Sequence, residues 1–420
     1  MTVKQQINVR TASAYFDDHL SGDDYYLEKG KSAGKWSGKL APELGLKGEV
    51  KKEAFDRLVA GLHPVTGDKL TQRLRKGRTA FFDFTCSAPK SISIVGVVGG
   101  DRRVVEAHQR ATVEAMAYLE RVACVRERKG ADVLTTKRTY TGKIVAAHFD
   151  HDASRSLDCQ LHRHFCVFNV TKGRDGKLMA LDARKMYDRS QTATEVYRNA
   201  LAKGLLAMGY ELDQGKKGFE IRGVPSEWIE RFSKRGQVIA REVTKREAAL
   251  GRKVSPKERS AIVHRSRGRK VSLSQEDYLS QLQDQLTPTE KDELKALVRC
   301  ADASLPQSMK VSEKNLVVGV LGAKKTGKHI PGYEVVRRCL VKGRGGVSLD
   351  RLERVLFPGN RADARTQDAL FRPMGRGKAK VGVALMARGF TPWQRRQMLY
   401  GLGHLIREME KAMEPPELFT

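Results

Sequence analysis

The sequence predicts an α+β fold whose strands pair as hairpins between helices, followed by a mainly helical, basic C-terminal region. Three observations point to it. Two β-rich runs, 143–149 and 162–170, flank a polar stretch that a hairpin can turn. Residues 102–126 place Val105, Ala111 or Thr112, Ala115, Met116 and Leu119 at helical spacing. From residue 231 the chain turns strongly basic and poor in aromatics, in a pattern that fits helices broken near Gly251 and Pro256.

The elements follow in order. Residues 1–30 hold a polar, tyrosine-rich segment, and the glycine-rich GKSAGKWSGKLAPELGLKG after it reads as loops and short turns around Trp36. Ala80–Cys86 (AFFDFTC) is β-rich and stops at Ser87-Ala88-Pro89. Lys90–Val98 is a second apolar stretch, ended by Gly99-Gly100. Beyond the predicted hairpin, 173–176 is a turn, 178–181 is extended, and 190–208 is a helix stopped by Gly209. Residues 210–222 read as a hairpin around 213–217, and 275–300 as a more acidic helical stretch. A soft boundary falls at 301–307. The remaining segment is basic again and ends in a helix over 392–413, with Thr391 as its N-cap.

Composition narrows the function. A chain of 420 residues can form two to three domains, and its net charge of +29 points to a polyanionic partner. Nucleic acid is the default partner and a membrane surface the competitor. There is no apolar run of spanning length, no signal peptide and no lipidation motif, so a soluble cytoplasmic protein without membrane insertion is expected. Six cysteines without a C-x-x-C exclude a disulfide framework and a thiolate zinc site, leaving reduced, mostly buried thiols. The stretch 322–328 (GAKKTGK) fits a phosphate-binding loop only by chance: His329 stands where a hydroxyl is required, and Pro331 opposes a following helix.

The chemistry concentrates in HFDHDASRSLDCQLHRHFCVFN, residues 148–169. His162 and His164 are two apart in a predicted strand, so their imidazoles share a face. A hairpin brings His151 alongside, and three imidazoles leave open positions on a metal ion. His148 and Asp152 are rival ligands, with His148 ranked lower because it falls inside the strand. Asp150 and Asp152 read as solvated turn residues or as partners that orient the ligands. Asp83, in an apolar strand, either faces solvent or is paired; if paired, it holds a ligating imidazole in its tautomer or accepts a phenol proton. Tyr15, Tyr25 and Tyr26 cluster near the N-terminus, and a phenol activated beside a cation can attack a phosphodiester.

Several of these blocks resemble one family in the expected order. His151-Asp152-Ala153-Ser154-Arg155, Asp158, Gln160-Leu161-His162 and His164 resemble the three-histidine signature of MobF-type conjugative relaxases, members of the HUH endonucleases. Residues 12–26 with DDYY at 23–26, Phe82–Thr85 with Ser87–Ser91, and Trp36 through Leu46 resemble the family's other early motifs, and the similarity covers about residues 1–300. The resemblance implies an antiparallel sheet with flanking helices, of the palm-like HUH type. It implies nicking of single-stranded DNA at an origin of transfer, with Tyr15 as nucleophile and Tyr25 or Tyr26 for a second transfer. His151, His162 and His164 would hold a divalent cation, Mg²⁺ or Mn²⁺, and Asp83 would support a histidine or the tyrosine. Partners implied are single-stranded and duplex origin DNA, a type IV secretion coupling protein and relaxosome accessory proteins, with carriage into a recipient cell.

The chain departs from the family at Phe16, where many relatives have a second tyrosine, and at Cys159, which replaces a proline. On this reading 1–300 is the relaxase domain and 301–420 a basic extension without a helicase. A replication initiator or transposase, a water-using metal phosphodiesterase and a noncatalytic basic DNA-binding protein are the competing readings.

Overall fold

The computed structural model describes residues 1–6, 12–13, 34–72, 74, 77–128, 136–154, 156–215, 218–266, 273–303, 330–356 and 370–371. Tyr15, Phe16, Tyr25, Tyr26, the 322–328 stretch and the helix expected over 392–413 lie outside them.

The strands are β1 (Thr2–Gln6), β2 (Lys35–Ser37), β3 (Phe81–Ser87), β4 (Cys124–Arg128), β5 (Thr136–Tyr140), β6 (Ala146–Ala153), β7 (Cys159–Phe168), β8 (Thr171–Lys172), β9 (Leu178–Met179), β10 (Leu212–Gly215), β11 (Gly218–Ile221), β12 (Ile330–Pro331) and β13 (Leu370–Phe371). Five form one sheet in the order β1-β3-β7-β6-β2, with every neighbouring pair antiparallel. The expected hairpin of 143–149 with 162–170 is its centre, and the hairpin expected over 210–222 is β10 with β11.

The chain forms two compact units: residues 1–112, 143–181 and 204–307 in the first, and 113–142, 182–203 and 308–420 in the second. In the first, one face of the sheet is divided. Its apolar half, from Trp36, Phe81, Phe149 and Phe168, packs on the helix Lys52–Ala60, whose Phe55 ring lies 5.1 Å from Phe168 and 5.8 Å from Phe81. The other half carries polar side chains. On the opposite face, Arg163 reaches the helix Arg102–Glu120 at Gln109 and Thr112. Gly38 turns the chain out of β2 at φ +90°, where a Cβ would collide with the Ile144 carbonyl.

Three expectations change. Trp36 lies in an edge strand, paired with Ala147 and packed 6.0 Å from Phe168, rather than in a loop. The helix from 102 stops at Glu120 instead of 126, because Val122–Val125 is a buried run rich in β-branched side chains and leads into β4. The helix expected over 190–208 begins at Arg184 and runs to Ala207, with Gly209 at φ +90° beyond its end. The basic region forms helices Lys234–Leu250 and Pro256–Arg265, separated at Gly251 as expected. Five of the six cysteines are buried and all are free, and among the described residues no helix is long and apolar enough to cross a membrane.

In the second unit, helices Gly332–Lys342 and Leu349–Leu356 are tied to the helix Arg184–Ala207 and its neighbours by buried polar contacts. Arg344 pairs with Glu195 at 2.9 Å, both side chains nearly inaccessible. Asn199 donates to the Val347 carbonyl at 2.8 Å and accepts from the Gly345 N–H at 3.0 Å. Arg121 makes a forked contact with Glu353 at 2.9 and 3.0 Å. Removing one partner of a buried pair strands the other, so Glu195→Ala should lower unfolding free energy by about 3–5 kcal/mol. Urea unfolding of the full chain checks it; a loss under about 1 kcal/mol, the range of a surface pair, would contradict this account of how 330–356 is held.

Candidate metal centre on the sheet

Strand register assembles the site. His151 pairs with His162, and Phe149 with His164, across β6 and β7. Thr85 pairs with His164, Ser87 with His162, and Asp83 with Cys166 across β3 and β7. Side chains alternate along each strand, so His151, His162, His164, Asp83 and Thr85 emerge on one face. The ring centroids stand 5.0 Å apart for His151 and His162, 5.4 Å for His151 and His164, and 5.2 Å for His162 and His164. All three rings are partly exposed on the polar half of that face.

Two of the rings have their tautomers set. His164 Nδ1 lies 2.9 and 3.0 Å from the two carboxylate oxygens of Asp83, which is completely buried. A carboxylate only accepts, so Nδ1 carries the proton and the Nε2 lone pair remains available. Thr85 donates to the same carboxylate at 3.2 Å. His162 Nδ1 lies 2.8 Å from the Gln160 carbonyl, which leaves its Nε2 in the same state. Burial, with the neighbouring His164, pushes the His162 pKa down to about 4. It is neutral at pH 7, as a metal-binding imidazole must be.

The three rings form a cluster rather than a closed coordination shell. Among the described residues no group of three or more His, Cys, Asp or Glu side chains already stands in metal-holding geometry. His151 and His162 are nearly parallel, at 22°, so ligation by all three requires a ring to turn.

Of the two rival ligands, His148 goes elsewhere, while Asp152 lies near enough to act electrostatically on His162. His148 emerges on the opposite face beside Phe165, with ring centroids 5.5 Å apart. Asp150 is a strand residue on that same opposite face, not a turn residue, and makes a forked ion pair with Arg163 at 2.6 and 2.7 Å. Sequence reasoning missed the Asp150–Arg163 pair. The signal was present: antiparallel pairing of His151 with His162 forces Asp150 opposite Arg163. Asp83 resolves to the paired alternative. Tyr15, Tyr25 and Tyr26 lie outside the described residues, so their approach to this face is not part of the geometry.

Two further histidines are held neutral. Burial pushes His108 down to about 3 and His148 down to about 4; Arg163 acts in the same direction on both, while Asp150 opposes. Both folded values lie below the unfolded value near 6.5, so the unfolded chain takes up more protons as pH falls. Their stabilising contribution is complete above pH 6.5 and is lost as pH drops toward the folded values. From pH 7 to pH 5 the two together should remove up to about 4 kcal/mol. Urea midpoints at the two pH values test this, and His148→Gln should remove about a third of the dependence, since His162, also held down to about 4, contributes a like share. A midpoint that does not move means that these rings are protonated in the folded state.

The sequence profile of the TrwC relaxase family matches residues 9–288. The multifunctional conjugation protein TraI of Escherichia coli K12 is 34% identical over 264 residues, covering 60% of this chain and 14% of TraI. A second Escherichia coli TraI is 34% identical over 256 residues. The chain thus matches only about one-seventh of the length of these curated relatives. Among solved structures, the metal-bound conjugative relaxase TrwC in complex with oriT DNA superposes with a TM-score of 0.59 at 32% identity, over 68% of this chain and 97% of that one. TrwC complexed with a 27-mer DNA comprising the recognition hairpin and the cleavage site gives 0.58 at 29%, over 69% and 99%. With two-thirds of its length inside the family profile and an antiparallel sheet that carries the histidine cluster, the chain belongs to the TrwC relaxase family.

Proposed function

We propose that this chain nicks and rejoins one strand of DNA at an origin of transfer, as a site- and strand-specific relaxase serving conjugative transfer or mobilisation. As a TrwC relaxase it is a DNA-nicking strand transferase. The observation that carries the reading is His151, His162 and His164 on one sheet face with Asp83 behind His164. These three residues are the proposed ligands of a divalent cation. The donor set fits: His162 is neutral, and His162 and His164 each direct Nδ1 to an acceptor, which leaves Nε2 as the ligating nitrogen. Imidazole donors favour transition metals over Mg²⁺, so of Mg²⁺ and Mn²⁺ the donor set prefers Mn²⁺. When bound, the cation neutralises charge on the scissile phosphate and favours attack on it.

Tyr15 supplies the nucleophile. Its phenolic oxygen bonds to phosphorus, the bond to the 3′-oxygen breaks, and the phenol proton is released as the 3′-oxygen takes one up. The products are a 5′-phosphotyrosyl enzyme and a free 3′-hydroxyl. One phosphodiester replaces another, so the strand can be rejoined by the reverse step, and Tyr25 or Tyr26 serves a second transfer. Asp83 holds His164 in its ligating tautomer. Exposed lysines and arginines along 234–265 grip phosphates of single-stranded and duplex DNA, which makes binding weaken steeply with salt. Residues 1–300 form the nicking region and 301–420 a basic extension; a type IV secretion coupling protein and relaxosome accessory proteins are the further partners.

The test is a covalent-adduct assay. Purified protein is incubated with labelled single-stranded DNA from its own element, with Mn²⁺, Mg²⁺ or EDTA. A denaturant-resistant protein–DNA band that needs metal is the expected result. Cleavage without a band means that water is the nucleophile, and binding without cleavage on DNA containing the origin means a noncatalytic binder.

A further inference from the structure

We propose that Arg163 is a positioning residue for the histidine cluster. Its ion pair with Asp150, on the face of the sheet away from the imidazoles, holds β6 and β7 in the register that gives His151, His162 and His164 a common face. The proposal rests on the reading of these histidines as metal ligands.

The geometry carries it. The Asp150–Arg163 rung lies between the His151–His162 and Phe149–His164 rungs. Arg163 Nε and Nη2 meet the two Asp150 oxygens at 2.6 and 2.7 Å, and the arginine is only 5% exposed. Its remaining nitrogen, Nη1, reaches the Gln109 carbonyl at 3.3 Å and Thr112 Oγ1 at 3.2 Å on the helix Arg102–Glu120. Gln109 also donates to Asp150 at 3.3 Å. One guanidinium therefore joins both ligand-bearing strands and the helix that covers them.

The register needs such a device at this point. The pairing of β6 with β7 already shifts between His151 and Ala153, one residue past the first imidazole. A slip of one residue turns every side chain of a strand to the other face. At the far end of β6 the rungs are Ala146–Val167 and Ala147–Cys166, small apolar pairs that specify register weakly. After a one-residue slip of β6, Asp150 would leave the helix-covered face, and the buried guanidinium would lose its carboxylate. The guanidinium is buried while a third of the Asp150 side chain is exposed, so a slip that separated them would strand the buried charge, and the pair penalises the wrong register more than it stabilises the right one. The forked geometry adds direction that a single charge contact lacks.

A merely structural pair and a positioning pair respond differently to replacement by apolar side chains. Such a swap commonly leaves stability unchanged or raised, because the buried guanidinium need no longer be desolvated. The experiment is a Co²⁺ titration of the full chain without DNA, read by visible absorption, for wild type, Arg163→Met/Asp150→Leu and Arg163→Lys, with thermal unfolding of each. The expected result is a double variant that melts like wild type yet binds Co²⁺ about tenfold or more weakly with an altered spectrum, the size seen when groups that orient ligands are lost. Arg163→Lys, which keeps the charge without the fork, should fall between the two, and it provides the comparison if the double variant does not fold. Wild-type affinity and spectrum in a folded double variant, or in Arg163→Lys when only that variant folds, overturn the proposal. If wild type binds no Co²⁺, and His164→Ala is indistinguishable from it, the metal reading itself fails and takes the proposal with it.

Discussion

Tyr15→Phe should abolish the covalent protein–DNA adduct and slow strand cleavage by roughly 10³-fold or more. The size follows from the chemistry. Phenylalanine keeps the ring but has no oxygen to bond to phosphorus, so the covalent path closes altogether, and what remains is slow attack by water. DNA affinity should change by no more than about twofold if, as proposed, phosphate contacts from the basic helices dominate binding. The expected signature is therefore intact binding with no adduct band. Tyr25→Phe and Tyr26→Phe should still form the first adduct, and one of them should fail in transfer to a second strand. If Tyr15→Phe cleaves at the wild-type rate while Tyr25→Phe does not, Tyr25 is the nucleophile and the order of the two transfers is reversed.

The central hairpin and its histidines were legible in the sequence because strand alternation is local information: His162 and His164 must share a face, and a hairpin must bring His151 near. The rest depended on which strands lie side by side. Alternation placed Asp83 opposite Phe82 and Phe84 but could not say whether its face was wet. Only the pairing of Asp83 with Cys166, two rungs from His164 and on the same face, settles that. Trp36 was illegible for a different reason. Its strand has three residues, too few to show a period, and sits among glycines that mimic a loop. The early end of the helix at Glu120 was obscured because the buried run that follows continues the apolar signal in another conformation. The packing of 330–356 onto the helix Arg184–Ala207 left no trace in either segment, because ion pairs such as Arg344 with Glu195 are long-range and charge spacing does not announce them.

Asp83→Asn should weaken divalent-metal binding by about 10- to 100-fold while leaving the fold intact. The substitution preserves shape in a completely buried position, so the packing around it stays filled. What it changes is what the side chain can ask of His164. A carboxylate accepts only and forces the proton onto Nδ1. An amide can turn its NH₂ toward the ring and favour the opposite tautomer, with Nε2 protonated and unable to ligate. Both Asp83 oxygens already lie within 3.0 Å of His164 Nδ1, and one also accepts from Thr85, so this carboxylate is committed to the imidazole. That commitment separates the two roles left open by the sequence. If Asp83 acts through His164, excess metal should restore adduct formation in the Asp83→Asn variant, because the defect is one of occupancy. If it accepts the phenol proton, adduct formation should stay slow at saturating metal, with normal Co²⁺ affinity. The hydrogen-bond geometry favours rescue. A variant with unchanged metal affinity and an unrescued rate would move Asp83 from the histidine to the tyrosine.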